Sequence, residues 1–186
     1  MNIVFDLDDT LFHNFLSRDT AKKYGVPQSE YFDLRDYHQE ALEDWKLKIN
    51  DLNIMGNLPV IEGSAEIIKK LSKKHKLYCV SARPMKSYDI SLKMIKRAYP
   101  QISKLILNEN KIAVFNYLKP DVVFDDKYEN IIAAIKSGVK YAVLISNSNT
   151  IHNFKHLNKI NNLKNTIILD SITNIFSNSK LKEVLK

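Results

Sequence analysis

Hydrophobic positions along the chain fall into two alternating patterns. Short continuous apolar runs of strand length occur at Asn2–Phe5, 76–80, Lys104–Leu107, 121–124, Tyr141–Ile145 and Thr166–Leu169. Between them, apolar residues recur at helical spacing. Ile67, Ile68 and Leu71 mark a helix over 64–74, and Met85, Tyr88, Leu92 and Ile95 mark one over 85–99. A third covers Lys111–Leu118 and stops before Pro120; a fourth carries Tyr128, Ile131, Ile132 and Ile135 and ends at Gly138. A closing helix is expected from about Ser171. Runs with no polar alternation belong to strands buried on both faces. Their regular exchange with helices predicts an α/β fold, a doubly wound and mainly parallel sheet.

One stretch breaks this rhythm. Residues 13–58 hold an aromatic-rich segment that, with Phe12 before it, includes Phe15, Tyr24, Tyr31, Phe32, Tyr37 and Trp45. A helix is expected over 14–24, ended by Gly25 and followed by Pro27. Another is expected over 34–52, with Leu42, Trp45, Ile49 and Leu52 on one face. Both interrupt a strand–helix–strand unit, so 13–58 reads as a small helical insert. Gly56, Pro59 and Gly63 mark the return.

Candidate chemistry gathers where strands end. Asp6, Asp8 and Asp9 follow the first strand directly, and Thr10 comes next. Three carboxylates in four residues repel one another unless a cation or a proton is shared. An oxygen-only donor set suits Mg²⁺ rather than zinc or copper. Ser81 ends the second strand, Asp125 and Asp126 end the fourth, and Lys111 opens the helix before it. In such folds ligands sit beyond the carboxyl ends of the strands, where strand order reverses. The four groups therefore converge on one crevice if these strands are neighbours.

Composition adds bounds. A chain of 186 residues with 45% hydrophobic content makes one domain, or one with a small insert. It has no apolar stretch of membrane-spanning length. The first strand begins right after Met1, so no secretory leader is expected. Cys79, the one cysteine, excludes an intramolecular disulfide, lies in an apolar run and reads as core; a cytoplasmic setting is expected. The net charge of +7 comes from lysines spread along the chain, as in Lys69-Lys70 and Lys73-Lys74. Such a field attracts anionic small molecules and leaves nucleic acid as an alternative partner.

The strand-end motifs resemble those of the haloacid dehalogenase (HAD) superfamily of phosphatases. Asp6-Leu7-Asp8-Asp9-Thr10 is similar to the first motif, Ser81 to the second, Lys111 to the third and Asp125-Asp126 to the fourth. Asp9 stands where glycine is often found. Lys119 competes for the third motif, but it sits at the far end of the helix that Lys111 opens. The resemblance implies a HAD-like Rossmannoid core of residues 1–12 and 59–186 with a small helical cap, 13–58. It implies Asp6 as nucleophile forming an aspartyl-phosphate, and Asp8 as general acid and then base. Ser81 and Lys111 would hold the phosphoryl group. Mg²⁺ would bind Asp6, the Asp8 backbone carbonyl and the Asp125/Asp126 pair, with Asp126 as direct ligand and Asp125 in support.

Finer features resemble the 5′(3′)-deoxyribonucleotidase-like family: Leu58-Pro59-Val60-Ile61-Glu62-Gly63-Ser64, Asp125-Asp126-Lys127 and Asn130-Ile131. This resemblance implies a nucleoside monophosphate substrate. Phe12 and Phe15 lie nearest the site and could stack on a base, although each aromatic here fits the cap's own small core better. Beside Ala82, Arg83 in Ser81-Ala82-Arg83-Pro84 either forks onto a substrate phosphate or polar group or caps the loop at the surface. Two alternatives remain open: a polynucleotide 3′-phosphatase, and a non-catalytic metal-binding regulator on the same scaffold. Monomer and homodimer are both compatible with the sequence.

Overall fold

Why the apolar runs lack alternation is visible in the sheet they build. The structure, a computed structural model, describes residues 1–14, 16–25, 39–146, 159 and 163–186. Six described strands, β1 (Asn2–Phe5), β2 (Lys76–Ser81), β3 (Lys104–Leu107), β4 (Val122–Asp125), β5 (Tyr141–Ile145) and β6 (Thr166–Leu169), pair in parallel in the order β3-β2-β1-β4-β5-β6. Ile3, Phe5, Cys79, Phe124 and Val143 face one apolar layer; Val4, Val80, Val123 and Leu144 face the other. Phe5 and Phe124 stack across neighbouring strands with ring centres 5.1 Å apart. This is the expected doubly wound α/β fold.

Helices cover both faces. They are α1 (Leu16–Lys23), α2 (Gln39–Asn50), α3 (Leu52–Gly56), α4 (Ser64–Leu71), α5 (Tyr88–Ala98), α6 (Lys111–Leu118), α7 (Tyr128–Lys136) and α8 (Ser179–Val184). No described helix is long and apolar enough to cross a membrane.

Three boundaries differ from the sequence reading. The helix expected over 34–52 lies partly outside the described residues, and within them Asp51 divides it. The Asp51 carboxylate accepts from the N–H groups of Asn53 and Ile54, capping a new short helix. A 3₁₀ turn, Met85–Ser87, precedes α5. The closing helix is two pieces, a 3₁₀ turn at Ile172–Phe176 and then α8 capped by Asn178.

The order reverses between β1 and β4, because the chain steps outward to β2 and β3 before crossing back. The Asp6 N–H donates to the Phe124 carbonyl at 2.8 Å, so the residue after β1 is tied to β4 at that point. From there the chain turns tightly, with the Leu11 and Phe12 N–H groups donating to the Leu7 carbonyl. Asp9 takes φ of +54°, the left-handed region that favours glycine.

The chain on either side of residues 13–58 is joined by a short antiparallel pairing. Phe12 and Val60 pair antiparallel, the His13 N–H donates to the Pro59 carbonyl, and the Ile61 N–H donates to the Leu11 carbonyl. The buried Tyr99 hydroxyl donates to that same Leu11 carbonyl and is bonded to Ser64 at 2.7 Å. Between these two paired stretches, α1 and α2 pack on each other, with Tyr24 and Trp45 around Ala21 and Ala41. Further along, α3 packs on α5 so closely that a Cβ on Gly56 would collide with Cγ1 and Cδ1 of Ile90.

Gly56→Ala should therefore cost about 1–3 kcal/mol of unfolding free energy, the usual range for overpacking. Adding Ile90→Ala should recover most of that loss. Denaturant unfolding of the single and double variants checks both.

Candidate active site

The site is built from the carboxyl ends of β1, β2 and β4 and the first residue of α6. Lys111 occupies the first turn of α6, behind the Asn110 side chain, which accepts from the Ala113 N–H and caps the helix. A cation at a helix N-terminus is unfavourable on its own. Here two carboxylates outweigh the dipole: the Lys111 ammonium donates to Asp6 Oδ1 at 2.5 Å and to Asp125 Oδ2 at 2.6 Å. All three side chains are buried. Burial alone would lower the Lys111 pKa, but Asp125 and Asp6 outweigh it and hold the group charged. Desolvation raises Asp6 to about 6 against the pull of Lys111, with Asp125 and Asp8 adding to the rise.

The two acids after β4 do different work. Asp125 uses both oxygens within the protein. Its Oδ2 takes Lys111, and its Oδ1 accepts from the Lys127 N–H at 2.9 Å and from Asn130 Nδ2 at 2.8 Å. Asp125 is thereby tied to the chain just before α7 and to a side chain in its first turn. Asp126 is buried beside it, and desolvation together with Asp6 and Asp125 raises its pKa well above the usual carboxylate range. Oxygens of Asp6, Asp125 and Asp126 lie within 4.8 Å of one another. Three buried carboxylates around one bonded ammonium leave excess negative charge, and every donor is oxygen. That set fits Mg²⁺. Asp125 already accepts from Lys111, Lys127 and Asn130, which leaves Asp6 and Asp126 better suited to hold the ion directly. Lys127 adds positive charge nearby. Partial desolvation pulls its pKa down, but Asp126 and Asp6 outweigh this and raise it.

Asp8 stands apart from the Lys111 group. Arg83 grips it in fork-to-fork fashion, Nε donating to Oδ2 at 2.8 Å and Nη2 to Oδ1 at 2.7 Å. Asn14 Nδ2 also donates to Oδ1, at 3.2 Å. Asp9 turns inward; its Oδ1 accepts from the Asn14 N–H, and desolvation raises its pKa to about 7. β2 ends on Ser81, buried, whose Oγ accepts from the Arg83 N–H and keeps its own proton to donate.

The structure thus brings together Asp6, Asp8, Ser81, Arg83, Lys111, Asp125 and Asp126. It does not place all the residues expected to bind substrate. Phe12 is fully buried, packing edge-on to Tyr99 in the core, so it offers no face to a base. The antiparallel pairing of Phe12 with Val60 turns its ring inward. Arg83 is also redirected: its guanidinium is spent on Asp8, the Met55 carbonyl, Ser91 and Met94 rather than presented to a second phosphate. Phe15 lies outside the described residues. Ala82 is exposed beside Ser81, and Lys119 is exposed at the far end of α6.

Asn14 and the side-chain role of Asn130 were not foreseen. Asn130 sits one turn into the helix after Asp125-Asp126, the spacing at which an amide reaches back to a strand-end carboxylate. Asn14 gave no comparable signal, since its contacts depend on the turn at Asp9.

No protein-family model matches the chain, and no curated protein matches it significantly. Solved structures do. A haloacid dehalogenase-like family hydrolase from Xanthomonas campestris aligns with a TM-score of 0.63 at 9% identity, covering 100% of this chain and 97% of that one. The HAD-hydrolase YfnB from Bacillus subtilis, described as bound to magnesium, aligns at 0.59 and 11% identity, covering 95% and 96%. A HAD phosphatase from Thermococcus onnurineus aligns at 0.57 and 14% identity, covering 95% and 96%. The shared feature is the fold: a parallel HAD-like α/β sheet with flanking helices.

Two substitutions separate the roles of the paired acids. If the cluster holds Mg²⁺, the wild type should gain melting temperature with the ion, and Asp126→Asn should stay folded and lose that gain. Asp125→Asn should cost about 3–5 kcal/mol with or without metal, because it breaks a buried ion pair and leaves Lys111 short of a partner. Thermal unfolding with Mg²⁺ and with chelator checks both.

Proposed function

We propose that this protein is a Mg²⁺-dependent phosphomonoesterase acting through an aspartyl-phosphate on Asp6, with nucleoside monophosphates, deoxyribonucleotides among them, as its substrate class. The observation that carries the proposal is the Lys111 ammonium held between Asp6 and Asp125, with Asp126 alongside and a separate carboxylate, Asp8, across the loop. Phosphoryl transfer needs an in-line nucleophile, neutralised charge and a proton for the leaving oxygen. The groups at this strand switch point match those three needs.

In the first step an Asp6 oxygen attacks phosphorus, the ester P–O bond breaks, and the departing oxygen takes a proton from Asp8. Ser81 and Lys111 donate to the phosphoryl oxygens, whose charge spreads as the bond breaks. In the second step Asp8, now a carboxylate, takes a proton from water as the water oxygen attacks phosphorus. The P–O bond to Asp6 breaks, releasing inorganic phosphate and restoring both aspartates. Mg²⁺ held by Asp6, Asp126 and the Asp8 backbone carbonyl would supply the remaining charge neutralisation.

The nucleotide class rests on the resemblance of the 58–64 segment and the Asp125-Asp126-Lys127 run, not on Phe12. Residues 13–58 are proposed as a cap over the crevice, which favours a small substrate over a polymer. The net charge of +7, and the resemblance of Val80-Ser81-Ala82-Arg83 and the Lys111-to-Asp125 segment to polynucleotide 3′-phosphatases, favour a 3′-phosphorylated nucleic-acid end.

Phosphate release should be measured with Mg²⁺ on nucleoside and deoxynucleoside monophosphates, sugar phosphates and a 3′-phosphorylated oligonucleotide, beside Asp6→Asn. Turnover of the monophosphates that disappears in the variant is the expected result. Turnover of the oligonucleotide alone would move the protein to end repair. Silence across the panel with Mg²⁺ bound would overturn the enzymatic reading.

A further inference from the structure

Arg83 has a placement that binding of substrate does not explain. Its side chain is only 3% exposed, and four of its five N–H donors have protein acceptors. Two go to Asp8. The Nη1 group goes to the Met55 carbonyl at 3.2 Å and Ser91 Oγ at 3.1 Å, with Met94 Sδ at 3.6 Å. Met55 belongs to α3, the last helix of the insert, and Ser91 and Met94 belong to α5. One guanidinium therefore joins the acidic loop, the insert's last helix and the core helix on which it rests. The close approach of Gly56 to Ile90 seats α3 so that the Met55 carbonyl comes within reach.

The bonds on Asp8 are also unequal. Oδ1 accepts from Arg83 Nη2 and from Asn14 Nδ2, which uses both of its lone pairs. Among the described residues, Oδ2 accepts from Arg83 Nε alone. The Asp8 side chain is 23% exposed, so the carboxylate is gripped from the protein side and open on the other. A planar fork fixes the plane of a carboxylate; a single ammonium does not.

We propose that Arg83 is the positioning residue for Asp8: it holds the carboxylate plane so that Oδ2 carries the proton delivered to the leaving oxygen, and the Met55 carbonyl links the seating of α3 to that alignment. This rests on the phosphomonoesterase reading. It assigns Arg83 no contact with substrate, and it places the insert's last helix in the support of the acid rather than in a moving lid. Arg83 acts on one event, protonation of the departing oxygen, and so its contribution depends on how much the leaving group needs a proton. An alkoxide needs one; a dinitrophenolate leaves without it.

The experiment compares kcat/KM, which reports the steps up to phosphoryl transfer to Asp6, for an alkyl phosphomonoester and for 2,4-dinitrophenyl phosphate. Wild type, Arg83→Lys, Ser91→Ala and Asp8→Asn are measured with Mg²⁺. General acid catalysis is worth about 10²–10⁴-fold, so Asp8→Asn should lose about that much on the alkyl ester and little on the dinitrophenyl ester. Arg83→Lys, which keeps the charge and loses the fork, should show the same selective loss, at least about tenfold larger on the alkyl ester. Ser91→Ala removes one support of the guanidinium without touching the buried pair. It should show a smaller loss of the same selectivity, which keeps the test available if Arg83→Lys fails to fold. Equal losses on both esters in Arg83→Lys and Ser91→Ala would make Arg83 a substrate-binding or purely structural residue and overturn the proposal, as would no loss in either. Failure of the wild type to hydrolyse either ester would instead overturn the phosphomonoesterase reading beneath it.

Discussion

The site depends on one buried ammonium. Lys111 is the cation bonded between Asp6 and Asp125, and without it three carboxylates would share a pocket sealed from water. Taking such charges out of water costs several kcal/mol per ion, which only close pairing and further hydrogen bonds offset. The rest of the architecture serves that pairing. The reversal of strand order puts the ends of β1 and β4 side by side, the Asp6 N–H locks them together through the Phe124 carbonyl, and α6 begins where Lys111 can reach both acids. Asp125 is further held by Lys127 and Asn130, so its geometry is set by the start of α7.

A division of labour follows from this frame. One side of the loop after β1 is charge-paired and sealed, with Asp6 held beside Lys111. The other side carries Asp8, gripped by Arg83 and Asn14 but partly open. Two carboxylates two residues apart thus meet different environments, Asp6 buried against an ammonium and Asp8 forked by a guanidinium and partly open. The turn at Asp9 separates them. Its left-handed backbone sends Asp9 inward, where the Asn14 N–H donates to its carboxylate, and passes the chain to the pairing of Phe12 with Val60.

Much of this was legible in the sequence because its physical signals are local. Strands buried on both faces read as unbroken apolar runs, and polar residues closing three of those runs marked the crevice. The unread parts depend on contacts between distant residues. Nothing near Arg83 says that its partner is Asp8, 75 positions earlier. Phe12 lies close to the acids in sequence, yet its pairing with Val60 aims it into the core. The break at Asp51 was hidden because the apolar stripe of Leu42, Trp45, Ile49 and Leu52 continues across it, while the cap that ends one helix and starts another involves a single carboxylate.

Asp6, held beside Lys111, is the nucleophile we propose for attack on phosphorus. The most direct measurement is acid quenching of the protein during turnover of a phosphomonoester, followed by mass analysis of the peptide that carries Asp6. The account predicts a phosphate adduct on Asp6 that hydroxylamine removes, as an acyl phosphate requires. Steady phosphate release with no adduct on that peptide, and undiminished release from Asp6→Asn, would contradict it.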